Sequence, residues 1–534
     1  MTLLFKSKAK AYRKLLTLLA TSLIIITQTS CKATKESDRI IVASKGKIES
    51  LDPAQANKLL AIQLISALGD PLYRINESGL LEPRLAKDYP QISKDGLTIS
   101  IALREDVLFH DGTPFNADAM AFSIKRFMEI GTLNYVIGEK ITKIETPGPF
   151  LIRLRLNKPS SSIKGLLSSI NLTPVSPKAY LEHQDKFLNK KFIGTGPYQL
   201  DSFTPERQRL IPFPRYWDKA PKNLGIDYVS YTTSTSLFSA IKTGQVDVLL
   251  SNSVEDGHRL ALHKLSKKGK LIEGIGPAMQ IGYIAFRSNS APLDNKILRS
   301  ALSYSLDRNL ISRKVGYGLR EPLRSIVPPI LKTSKTSPWP KYNPQIARDL
   351  FKKAGLCDSN KVTIPLTFRS NVPADKLLAL TWQEQLGRDF SDCITVKLNG
   401  VESTTVYKQL AEGAYEAVIL GWTGEYPDPE AYLSPLLDCT KSQGSTCLEG
   451  EAVYGGTFWA SNQIKTSLEQ SENLQGSQRL EKLSEIEFLA ADGAAILPVW
   501  LVKPRAWAQP NFSRPKFDGN GRLLLDRLQK AINE

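Results

Sequence analysis

The stretch GWTGEYPDPEAY, residues 421–432, holds a carboxylate, Glu425, near an indole, Trp422, between glycines and prolines. A carboxylate in that setting either pairs with a cationic group of a ligand or caps a turn. A second pair with chemical reach is His110–Asp111 in FHDGTPFNADA. An imidazole beside a carboxylate suits acid–base work. Here Asp111-Gly112 reads as a turn and Asn116 as the cap of a helix starting near Ala117, so the pair is read as structural. The glycines of IGTGPYQL (193–200) have no lysine nearby and make a poor phosphate loop; they fit a hinge or a close crossing of backbones. No GxSxG, HExxH or phosphate-loop motif occurs, and no catalytic residue is assigned. The four histidines, His110, His183, His258 and His263, and the absence of a CxxC or Cys/His spacing argue against a metal site or cofactor.

The N-terminus reads as a targeting segment. Lys6, Lys8, Lys10, Arg13 and Lys14 precede the apolar run LLTLLATSLIIIT (15–27), which is short for a spanning helix. QTSC (28–31) resembles a bacterial lipobox, departing from it at Gln28, and would place a lipid on Cys31. CKA (31–33) instead offers ordinary cleavage after Ala33. The lipidated reading is preferred because KATKESD then serves as a polar tether. Beyond Cys31 there are four cysteines, an even set that suits two disulfides in an exported chain. Cys439 and Cys447 would close a short polar loop. Cys357 and Cys393 each precede a strand-like run and could bridge if those strands are parallel neighbours. Four unpaired thiols is the alternative.

The net charge is +17, and the five positive charges of residues 1–30 leave +12 on the remainder. The lysines and arginines are scattered. The densest run, HKLSKKGK (263–270), sits in a loop-like stretch without interleaved aromatics, so nucleic acid is not the expected partner.

The elements that must position these residues alternate between strand and helix, which is α/β construction over two or three domains for 534 residues. In STSLFSAIKTGQVDVLL (234–250), Ser234 or Ser236 caps a helix to Lys242, Gly244 stops it, and VDVLL is a buried strand. In NPQIARDLFKKAGL (343–356), Asn343 caps, Pro344 opens the first turn and Gly355 ends the helix. Strand 362–368, helix 374–387 and strand 394–398 then form a βαβ crossover candidate. Asp95-Gly96 supplies the positive-φ pair of a hairpin turn. Asp307 and Arg308 read as structural ion-pair partners on a packed helix.

Several stretches resemble, in order, the large bacterial extracellular solute-binding proteins that serve peptide-type ABC importers. They are SLDPAQA (50–56), LEPRLAKDYPQISKDGLTISIALREDVLFHDGTPFNADAMAFSIKRF (81–127), IGTGPYQL, YWDKAPKNLGIDYVSY (216–231), AIKTGQVDV (240–248), AFRSNSAPLDNKILRSALSYSLDRNLI (285–311) and GAYEAVILGWTGEYPDPEAYL (413–433). Together they span about residues 40–510. The resemblance implies an α/β, two-lobed, hinge-closing fold with an accessory domain. Residues 1–30 are the signal segment and 31–37 the tether. One lobe is formed by 38–80, 199–285 and 500–534, the accessory domain by 81–198, and the second lobe by 286–499.

The same resemblance implies a binding function without chemistry on the ligand. The protein would capture peptides between its lobes and deliver them to an ABC-transporter permease. It would act as a monomer outside the cytoplasm, in the periplasm or at the cell surface, lipid-anchored to the membrane. Glu425 stands where peptide-binding relatives place an aspartate that pairs with the peptide α-ammonium. Trp422, beside Gly421, matches the tryptophan that flanks the ligand backbone, and its indole offers a wall and one N–H donor. Arg369, in TFRSNVP, lies near the position of a carboxylate-holding arginine. Asp428-Pro429-Glu430 reads only as a helix opening. The rival ligands on the same fold are a peptidoglycan fragment, haem, a nickel complex or an oligosaccharide. A secreted hydrolase is the rival of another class.

Overall fold

Strands buried on both faces read as continuous apolar runs, and two such runs organise this chain. Gln280–Phe286 (QIGYIAF) and Ile496–Val502 (ILPVWLV) pair antiparallel at the centre of a six-stranded sheet. The computed structural model describes residues 39–531, apart from Asn57, Glu139, 252–253 and 332–335. The signal segment, Cys31 and the tether therefore lie outside the described residues.

The six-stranded sheet runs Arg320–Pro322, Ile496–Val502, Gln280–Phe286, Ala417–Thr423, Val362–Arg369, Ile394–Val401. Its last two strands are parallel and joined through the helix Pro373–Asp389, the crossover expected from the pattern. The Cys357–Cys393 disulfide ties their starting ends, where Val362 pairs with Ile394. A seven-stranded sheet runs Ile272–Ile275, Arg505–Ala508, Val248–Leu250, Ile40–Lys45, Ile226–Tyr231, Arg207–Pro212, Tyr198–Thr204. A four-stranded antiparallel sheet, Gln91–Ile92, Thr98–Ala102, Leu151–Leu156, Ile141–Gly148, packs with the helix Ala117–Ile130 around its own core. The Cys439–Cys447 disulfide closes a two-stranded hairpin.

The chain passes between the two large sheets at two short links, residues 276–279 and 503–504. The expected divisions at 285/286 and 499/500 instead cut through Gln280–Phe286 and Ile496–Val502, which lie whole in the six-stranded sheet. An apolar run shows that a strand is buried, but not which sheet buries it.

Local signals place most elements. Asn116 and Asn343 cap their helices through side-chain oxygens that accept from the amides of Ala119 and Ile346. The helix Ser234–Lys242 is capped by Thr233, not by Ser234 or Ser236, because Thr233 is the extended residue whose hydroxyl accepts from Ser236 N–H. Of Asp95-Gly96 only Gly96 has positive φ, at 71°. The Asp95 carboxylate instead accepts from Ser93 Oγ and Leu97 N–H inside the turn. Asp307 caps the next helix, while the Arg308 guanidinium donates to the carbonyls of Pro498 and Pro340, so the two serve separate backbones. The basic run 263–270 is helical through Lys267 rather than a loop. In GTGPY, a side chain at Gly196 would meet the backbone of Gly69 at 2.4 Å, which makes this a close backbone crossing.

Candidate ligand-binding site

Ala417–Thr423 is paired along its whole length with Gln280–Phe286 on one side. On its other side it meets Val362–Arg369 only at Ala417 and Val418. Among the described residues, 419–423 therefore have no strand partner on that side. The two strands splay apart, and Arg369 stands at the opening. A Cβ placed on Gly421 would lie 3.7 Å from Arg369 Nη2 and 3.9 Å from Gln280 Nε2. Gly421 thus leaves its backbone approachable where a guanidinium is also presented.

Arg369 is held rather than free-swinging. Its Nε donates to Asp375 at 2.7 Å and its Nη1 to the Tyr407 hydroxyl at 2.8 Å. Burial pushes the Asp375 carboxyl up, and Arg369, then Arg320, pull it back. Nη2 has no protein partner among the described residues, so one edge of the fork remains for a ligand oxygen.

Trp422 sits opposite Ile281 with its ring against the core of the six-stranded sheet. Its Nε1–H donates to Ala431 O at 2.8 Å. The expected donor is therefore spent inside the protein, and the ring can offer only a wall. Gly424 follows because any side chain there would press on the Tyr432 ring, at 2.6 Å. The Tyr432 hydroxyl in turn donates to Met279 O on one of the two links between sheets.

Glu425 and Tyr426 leave the sheet and lodge against the four-stranded-sheet region. They line a shallow, mainly apolar crevice with Phe127, Ile137, Leu166 and Leu172 among its walls. Tyr426 packs against both cores. Glu425 is half-buried there. The four residue steps from Gly421 to Glu425 span at most about 14 Å.

A polar seam continues outward from Tyr426. Lys140 Nζ lies 3.7 Å from Glu430 and 3.5 Å from Glu472. The Ser161 amide donates to Glu472 Oε2, and its hydroxyl faces the carbonyls of Ser471, Glu472 and Leu474 at 2.6–3.1 Å. Arg479 forks onto Asp428 at 2.8 Å for each bond and reaches Glu430 at 3.1 Å. Asp428 also accepts from Glu430 N–H, as a helix opening requires. Burial first, and then Glu472, push the Glu430 carboxyl up against the pull of Lys140 and Arg479. The two bodies thus meet through a charged contact beyond the strand opening. Tyr426, Lys140, Ser161 and Asp375 were not singled out from the sequence. Tyr426 lay inside the block that was, but its partners are more than 200 positions away.

His110 is not poised for chemistry. Its Nε2 faces Gly196 O at 3.1 Å and Gly194 N–H donates to Nδ1 at 3.4 Å. His258 is bonded to Ser234 and stacked on Phe238, and His263 is bonded to Glu273. The one metal-like group among the described residues, Cys357, Asp392 and Cys393, has both sulfurs consumed in a disulfide. No helix among the described residues is long and apolar enough to cross a membrane.

Residues 81–444 match the family described as bacterial extracellular solute-binding proteins, family 5 Middle. The glutathione-binding protein GsiB of Salmonella typhi is 28% identical over 404 residues, covering 74% of this chain and 77% of that protein. Two solved structures share the fold. NikA from Brucella suis, in complex with Fe(III)-EDTA, has a TM-score of 0.81 at 19% identity over 92% of this chain and 99% of its own. The dipeptide-binding protein of Pseudoalteromonas sp. SM9913, in complex with Met-Leu, has a TM-score of 0.75 at 22% identity over 92% and 99%.

Proposed function

From the premise that this chain belongs to family 5 of the bacterial extracellular solute-binding proteins, we propose that it captures short peptides between its lobes for an ABC-transporter permease. The observation that carries the reading is the splayed strand 419–423, with a guanidinium at Gly421 and a carboxylate at Glu425. A backbone without a strand partner can pair with the amides of an extended peptide regardless of its side chains. Arg369 Nη2 would receive the terminal carboxylate, Glu425 the α-ammonium, and Trp422 would wall the backbone. The backbone path from Gly421 to Glu425, at most about 14 Å, is on the scale of a di- to tetrapeptide at roughly 3.3–3.6 Å per residue. The relatives named for glutathione and for a dipeptide support the same class.

The seam of Lys140, Ser161, Glu430 and Glu472 would form on closure, since it joins the two bodies across the opening. A ligand bound better by the closed form then shifts the population toward it. Lipidation at Cys31 and action as a monomer complete the proposal. They would keep the closed protein beside the membrane.

Isothermal titration with Ala-Ala, Ala-Ala-Ala and Ala-Ala-Ala-Ala, free and N-acetylated, tests the reading. Free peptides should bind, and Glu425→Gln should weaken them more than the acetylated ones. Equal loss for both would remove Glu425 from the ammonium role.

A further inference from the structure

The floor of the opening near the two links carries more arginine than acid. Arg320 pairs with Val502, beside the 503–504 link, and its guanidinium lies over the Trp500 ring at 4.6 Å. The Trp500 ring covers Gly282, the partner of Gly421, so closely that a Cβ there would meet it at 2.0 Å. Both Nε and Nη2 of Arg320 donate to one oxygen of Asp256, at 3.2 and 2.9 Å, on the seven-stranded-sheet side. Nη1 of Arg320 has no protein partner among the described residues. Asp256 also serves Arg259, at 3.4 Å. Arg505 donates to Glu273 at 2.6 Å, and His263 takes the other oxygen of that carboxylate.

Counting Arg369 with Asp375, four guanidiniums face three carboxylates. The shortage is felt inside: Arg259 Nε is buried without a partner, and burial, then Arg320, push this guanidinium down to about 10. A partly buried set with one cation in excess is completed by one anion. The two guanidinium edges without protein partners among the described residues, Arg369 Nη2 and Arg320 Nη1, belong to side chains that are 14% and 12% exposed.

We propose that Arg320 acts with Arg369 as an anion subsite that selects ligands bearing one carboxylate at the end of the cleft beside the interlobe links. Asp256 tempers that subsite from the other lobe. This deepens the peptide-capture reading by naming Arg320 as a specificity residue for the peptide's acidic end.

The test is titration of the wild type, Arg320→Gln, Arg320→Lys and Asp256→Asn with Ala-Ala-Ala and its C-terminal amide, with folding checked by circular dichroism. The wild type should prefer the acid at least tenfold. Arg320→Gln should cut that ratio threefold or more, and Arg320→Lys should keep part of it. Asp256→Asn, which releases the guanidinium, should hold or widen it. An unchanged ratio in Arg320→Gln overturns the proposal. So does matching loss of acid and amide binding in Arg320→Gln and Asp256→Asn, since that outcome marks a purely structural bridge. Butyrate, a monocarboxylate without amine or amide, separates the two readings by thermal shift. If no tripeptide binds but butyrate stabilises the wild type and not Arg320→Gln, the peptide reading falls and the anion subsite stands. If neither probe gives an Arg320-dependent response, the subsite falls.

Discussion

Acidifying the protein from pH 8 to pH 5 should cost it about 2 kcal/mol through His110 alone. Burial pushes this imidazole down to about 4 from its ordinary 6.5. The physical cause is visible in its bonds. Nε2–H donates to Gly196 O, while Nδ1 accepts from Gly194 N–H, so a second proton would confront an amide hydrogen. The unfolded chain takes up its proton near 6.5 and the folded chain only near 4. The contribution is therefore fully present above pH 6.5, falls as the pH drops, and has lost about 3 kcal/mol below pH 4. Urea unfolding of the wild type and His110→Gln at pH 8, 6 and 5, followed by tryptophan fluorescence and circular dichroism, measures it. Glutamine keeps a donor for Gly196 without titrating. The variant should start less stable and show a flatter pH dependence, with the gap between the two narrowing by about 2 kcal/mol at pH 5. Parallel pH dependences, or an imidazole that titrates near 6.5 by NMR in the folded protein, would refute the burial argument.

Trp422→Phe should lower stability by about 1 kcal/mol, the net worth of its bond to Ala431 O, while leaving peptide affinity within a factor of two; thermal unfolding and titration separate the two effects. Removing the Cys357–Cys393 disulfide by double serine substitution should cost about 4 kcal/mol by loop entropy, against about 2.5 kcal/mol for Cys439–Cys447, because the closed loops differ in length. Denaturant midpoints of the two double variants give the order. Ser161→Val and Lys140→Met should each enlarge the protein at a fixed peptide concentration in small-angle scattering and weaken ligand binding, since they break the contacts of the closed form without touching the strand opening.

Local chemistry made much of this chain legible. Asn116, Asn343, Pro344 and the βαβ pattern at 362–401 each carry their instruction within a few residues. Cap choice was less legible: Thr233 and Ser234 are equivalent chemically, and the extended backbone at Thr233 decides between them. The placing of the division between bodies failed for a different reason. Gln280–Phe286 and Ile496–Val502 are apolar enough for any buried sheet, and only their mutual pairing assigns them. At the site, the block 421–432 was recognisable, but the spending of the Trp422 N–H on Ala431 was not, because rotamer and packing fix it. The contacts of Ser161 with residues 471–474 join positions about 310 apart and leave no pattern in either segment. Arg320 likewise stands in an unremarked stretch. Its meaning comes from Asp256, Trp500 and Arg259 around it.

The central claim is that the cleft holds a short peptide with free ends. Native mass spectrometry of the protein purified without denaturation tests it most directly, followed by release and sequencing of whatever small molecule is bound. A mass matching a di- to tetrapeptide with a free amine and a free carboxylate is the result predicted. A sugar, a haem, a metal chelate or a peptide blocked at either end would contradict it.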